Sequence, residues 1–138
     1  MTFQIIGKII ITIATLIYGV APIFYDLNKT HATNPLWVGH ARFHVVWQVM
    51  ITFLISLFAL YFLWLRENNI ENTVITFLLG TSVFGSFFIN VLCMKFYDGK
   101  LADENGVTKV RGFNPNLIGF AIAFLLLIFG FYLKVSFT

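Results

Sequence analysis

The chain has 138 residues, with nine lysines and arginines against six aspartates and glutamates, a formal net charge of +3. Hydrophobic residues make up 59% and charged residues 11%, a balance far more apolar than soluble domains show, which marks a single-domain integral membrane protein, residues 1–138. A secreted disulfide scaffold, a disordered chain and a nucleic-acid-binding domain are excluded. The single cysteine, Cys93, rules out paired-thiol redox chemistry.

From Phe3 to about Phe24 the chain is apolar, with Lys8 near enough to the start to snorkel to the interface, and a first spanning helix is expected over 3–24. A cleaved signal peptide is disfavoured: no small-x-small site follows, and Tyr18, Pro22 and Tyr25 stand where one belongs. A second span is expected over 40–65, closed by the polar turn Arg66-Glu67-Asn68-Asn69. The third runs over 70–97, and the short turn makes it an antiparallel neighbour of the second. After the longest polar stretch, Asp98 to Gly112, Asn114-Pro115 reads as an N-cap followed by proline at the first helical position, opening a fourth span over 115–134. The fold class is therefore all-α: a four-transmembrane-helix antiparallel bundle.

Four spans place both termini and the Arg66 turn at one end. Lys8, Arg66 and Lys134 fall at that end, and Lys29, Arg42, Lys95, Lys100, Lys109 and Arg111 at the other. The positive-inside rule then puts the first and third loops in the cytoplasm and the termini outside it. On that side the Asn28-Lys29-Thr30 sequon is a chance match.

The chemistry concentrates in one segment. All three histidines fall within residues 31–44. His40 and His44, four apart at the start of a helix, project from one face, a spacing with which helical metal sites supply two ligands. His31 is close enough in the loop to fold back as a third, and Asp26, at the end of the first helix, would complete a set suited to Zn, Fe or Cu. A helix N-terminus disfavours cations, and neutral imidazole is the ligating form. Arg42 faces away from the pair, toward Asp26 or a lipid phosphate. Such a site would serve a membrane oxidoreductase or hydroxylase acting on a lipid-soluble substrate, with three histidines allowing a mononuclear centre alone. The competing reading has structural histidines among an aromatic belt of Trp37, Trp47, Tyr25 and Tyr97, in a non-catalytic module that binds a small hydrophobic ligand or packs into a complex such as a homo-oligomer. The first predicts imidazoles converging within about 4 Å of one point, the second divergent imidazoles bonded to backbone or water.

Polar residues continue down the second helix at Gln48, Thr52 and Ser56 and recur on the third at Ser82, Ser86, Asn90, Cys93 and Tyr97. Running antiparallel, the two helices bring Asn90 to the depth of His44 and Gln48, where Gln48 and Asn90 would orient a substrate or ligand. Gly80 and Gly85 read as close-packing surface. No Asp or Glu lies mid-span, which disfavours a proton-coupled exporter.

The stretch Asn34-Pro35-Leu36-Trp37 followed by His40-Ala41-Arg42-Phe43-His44 resembles the signature of small four-helix membrane proteins of the domain-of-unknown-function type. In that group a Thr/Ser-His and an Asn-Pro turn precede a His-Ala-Arg/Lys-Phe-His start of helix two. The resemblance covers about a fifth of the chain. It implies the four-helix topology and an important histidine segment including Asn34 and Arg42, and implies no activity. Sterol-isomerase and sigma-2-type bundles also carry an aspartate at the end of helix one, but this chain lacks their buried acids on helices two and three.

Overall fold

The computed structural model describes residues 2–102 and 111–137. Helix α1 spans Thr2–Gly19, α2 Ala21–Tyr25, α3 Gly39–Leu60, α4 Ile70–Cys93 and α5 Pro115–Ser136, with no strand among the described residues. A π-helical turn, Tyr61–Leu65, extends α3, and a 3-10 turn, Met94–Phe96, extends α4. The four segments long and apolar enough to cross a membrane are Thr2–Tyr25, Gly39–Leu65, Ile70–Phe96 and Pro115–Ser136. Each boundary lies within two residues of the one predicted.

The ends are set by local chemistry. Asn69 Oδ1 accepts the backbone N–H of Asn72 at 3.0 Å, capping α4, while the Asn72 amide donates back to Glu67 O at 2.9 Å. Asn114 Oδ1 accepts from Asn116 N at 2.9 Å ahead of Pro115, as expected for α5, and the Asn114 amide also donates to Leu101 O at 3.1 Å. One expectation is corrected. The first span is broken at Val20 between α1 and α2, because Pro22 has no N–H to offer the Tyr18 carbonyl. The chain resets with Ile23 N donating to Val20 O at 3.1 Å and Asp26 N to Pro22 O at 2.8 Å.

The helices run up and down in sequence. The Gln4 amide donates to Phe137 O at 2.8 Å, and the Trp64 indole N–H donates to Thr12 Oγ1 at 2.9 Å. The start of α1 and the ends of α3 and α5 therefore share one end of the bundle, and the histidine segment lies at the other. The most extensive contact is between α1 and α5. There a Cβ added to Gly7 would stand 2.7 Å from Gly130 O and 2.8 Å from Lys134 N, a backbone approach that glycine permits. Gly80 likewise admits Leu127, whereas a Cβ at Gly85 would meet nothing within 4 Å, so Gly85 is not the packing surface predicted.

The core is a cluster of Ile11, Ala14, Tyr18, Leu63, Val83, Phe84, Ala123 and Leu127, with the Tyr18 and Phe84 rings edge to face at 5.4 Å. Thr76 joins α4 to α3 through Ala59 O at 3.2 Å while also bonding Asn72 O. Large apolar side chains such as Leu54, Phe58, Leu78 and Leu125 stand more than half exposed on the outside. In water this surface would be an extensive apolar patch; in a bilayer it is the lipid face.

Candidate functional site

The site is built by the bend at Pro22, the loop that follows it, and the facing polar stripes of α3 and α4. From Asp26 to Val38 the loop is knotted by its own hydrogen bonds. Ala32 N donates to Asp26 O at 2.9 Å, Thr33 N to Asn28 O at 2.9 Å, and Trp37 N to Asn34 O at 3.2 Å. Asn34 is fully buried and organises the turn: its amide donates to Thr30 O at 3.2 Å and its Oδ1 accepts from Leu36 N at 3.0 Å. It is a structural asparagine of the loop.

His31 lies against this loop. Its Nδ1 is 2.7 Å from Thr30 Oγ1 and 3.7 Å from Asp26 Oδ1, and its ring meets Trp37 edge to face at 5.5 Å. Burial holds the Asp26 carboxyl above the usual carboxylate range, and the neighbouring imidazole, when cationic, pulls it back down. His40 and His44 form a second, separate pair. Their Nε2 atoms are 3.1 Å apart on the exposed first turns of α3. Four candidate ligands are thus divided into two pairs. Among the described residues no group of three or more His, Cys, Asp or Glu side chains is assembled to hold a metal ion, and the single four-ligand centre expected from the sequence is not formed. The spacing placed His40 with His44 correctly. What it could not show is that Thr30 and Trp37 hold His31 back in the loop.

Of the two partners expected for Arg42, Asp26 lies against His31 instead, and the Arg42 Nε is buried without a hydrogen bond among the described residues.

Between the helices lies a cleft of about 570 Å³. Helix α3 contributes His44, Trp47, Gln48, Ile51, Thr52 and Ile55; α4 contributes Ser82, Val83, Ser86, Phe87 and Asn90; Tyr18, Pro22 and Asp26 come from the bent first span and Phe120 from α5. The stripes predicted on the second and third spans therefore do face one space. Three members fall outside it: Ser56 is buried against the α1 backbone at Gly19, and Cys93 and Tyr97 are absent from the lining. The hydroxyls of Thr52, Ser82 and Ser86 donate to carbonyls of their own helices, which leaves their lone pairs for a ligand that donates. Asn90 Oδ1 accepts a hydrogen bond from the Tyr97 hydroxyl, which leaves the Asn90 N–H groups unused by it.

Tyr18 is the member that the sequence did not single out. It is fully buried, and its hydroxyl lies beside that of Thr15 in the cleft wall. A buried tyrosine presents a large apolar ring with one polar atom at its tip, which suits an amphiphilic ligand. A signal was present in the chain: Tyr18, Pro22 and Asp26 recur every fourth residue, which places them along one helical face.

The cleft offers hydrogen-bonding groups along one wall and apolar surface along the rest, the pattern of a site for a molecule that is itself partly polar and partly apolar. No family model, curated protein or solved structure matches the chain.

Proposed function

We propose that this protein binds a lipid-soluble amphiphile in the interhelical cleft. The carrying observation is the cleft itself, in which Gln48, Thr52, Ser82, Ser86 and Asn90 share one space with Tyr18 and with apolar walls. A ligand oxygen or nitrogen would hydrogen-bond these groups, including the buried Tyr18 hydroxyl. Gln48 and Asn90 would receive the ligand's polar end near His44, while Ile51, Ile55, Val83, Phe87 and Phe120 would take its apolar body. The volume suits a small molecule: ligand pockets run from about 300 to 1,000 Å³. The oxidoreductase reading from the sequence put His31 and Asp26 on the same ion as His40 and His44, and their arrangement as two pairs supports binding over that four-ligand reading.

Tyr18→Phe tests the proposal by separating two effects. Removing the hydroxyl leaves the ring packing in place, so thermal stability in detergent is expected to change little, whereas retention of a co-purifying amphiphile, read by native mass spectrometry, is expected to fall about tenfold. Equal retention in the variant and wild type would contradict it.

We further propose that the cleft's histidine end faces the cytoplasm, on the six-to-three division of lysine and arginine between the two ends. In a Cys93→Ser background, Lys100→Cys, at an exposed position beyond α4, is expected to react with a membrane-impermeant thiol reagent only after cells are opened. Labelling of intact cells would reverse the orientation.

A further inference from the structure

We propose that His40 and His44 alone form a seat for one transition-metal dication at the mouth of the cleft. This stands independently of the amphiphile, since it rests on the imidazole pair and not on Tyr18.

The two Nε2 atoms lie 3.1 Å apart. Two nitrogens each about 2.0–2.1 Å from a common ion are separated by about 2.9 Å at a square-planar angle and about 3.4 Å at a tetrahedral one. The observed separation falls between these values, so the nitrogens already stand at the spacing that one ion requires, and a turn of the rings directs both lone pairs to it. Both residues are exposed, which gives an ion access from water, and His44 lines the cleft. The rings are also restrained. His40 lies nearly parallel to Phe43 at 6.5 Å, and His44 packs against Phe43 at 5.8 Å and Trp47 at 5.7 Å.

In the metal-free neutral pair one Nε2 donates a hydrogen bond and the other accepts it. On binding, the donor's proton moves to Nδ1 of its own ring and both Nε2 lone pairs turn to the ion. No net proton is released. Two imidazoles leave coordination positions open to water or to an oxygen-bearing molecule in the cleft, and with no thiolate present the order of affinity favours Cu(II) over Zn(II).

The test is a Cu(II) titration of untagged protein in a non-coordinating buffer, with Trp37→Phe and Trp64→Phe leaving Trp47, beside His44, as the reporter. Quenching that saturates at one equivalent is expected. His40→Gln and His44→Gln are each expected to weaken it at least tenfold, with His31→Gln and Tyr18→Phe within about twofold of the parent. His40 and His44 are exposed and the other changes keep side-chain shape, so folded variants are expected, and circular dichroism checks this. Quenching that does not saturate, equal affinity in the His40 and His44 variants, or an equal loss in His31→Gln would overturn the two-histidine seat. The Tyr18→Phe arm keeps a failure here distinct from a failure of the amphiphile proposal.

Discussion

Gly7→Ala is expected to destabilise the bundle by about 2 kcal/mol net and to lower its midpoint of thermal unfolding in detergent by several degrees. The new methyl carbon would stand 2.7 Å from Gly130 O and 2.8 Å from Lys134 N. Both are backbone atoms of α5 and cannot rotate aside. Relief requires α1 and α5 to separate along the most extensive helix contact in the protein. In a bilayer this contact has no hydrophobic driving force to fall back on, since lipid tails are as apolar as the side chains, and close packing is what the glycines provide. Gly85→Ala is the matched control. Its methyl would meet nothing within 4 Å, so the higher helix propensity of alanine is expected to raise stability by about 0.5–1 kcal/mol. Two glycine-to-alanine changes in spanning helices thus carry opposite signs. Equal shifts, measured by thermal scans of both variants, would mean that the α1–α5 approach is not what holds the bundle.

Ser86→Trp is expected to empty the cleft while leaving the bundle folded. Ser86 lies exposed on the cleft wall of α4, and its hydroxyl serves its own helix through Val83 O at 2.9 Å, so no contact between helices is lost with it. An indole in its place would occupy space between the Gln48 wall of α3 and the Phe87 and Phe120 surfaces. Overpacking costs of about 1–3 kcal/mol fall on the bound state alone, which corresponds to a loss of affinity between about fivefold and about a hundredfold. Native mass spectrometry of the variant beside wild type reads the effect. Undiminished occupancy would place the amphiphile elsewhere on the protein.

The bundle was legible in the sequence because its signals are long and redundant. Four apolar runs, a polar turn at Arg66 and the Asn114-Pro115 start specify helix number, direction and ends without any knowledge of packing. The facing stripes on α3 and α4 were legible too, since a four-residue spacing on antiparallel neighbours fixes which residues meet. Gln48 and Asn90 line one cleft accordingly.

What escaped depends on loop conformation and on tertiary contact. Whether His31 joins His40 and His44 is decided by how residues 26–38 fold, and there Thr30, Asn34 and Trp37 bind the chain to itself. Asp26 is one of two partners the sequence offers Arg42, beside a lipid phosphate, and that carboxylate is taken by His31. Pro22 is visible in the sequence, yet its effect, a break at Val20 that sets Tyr18, Pro22 and Asp26 along one wall, appears only once α1 is seen packed on α5. Tyr18 entered the sequence reading only as an argument against signal-peptide cleavage. Its significance is a buried hydroxyl in the cleft wall, a property of the packed interior that no spacing conveys.

The central claim is that the cleft, and not the outer lipid face, holds an amphiphile. Photo-crosslinking with a long-chain alcohol bearing a diazirine, followed by peptide mapping, tests it most directly. Adducts are expected on cleft residues of α3 and α4, such as Ile51, Ile55 and Phe87, and are expected to disappear in Ser86→Trp. Adducts confined to outward-facing residues such as Leu54, Phe58 and Leu125, at equal yield in both proteins, would contradict the account.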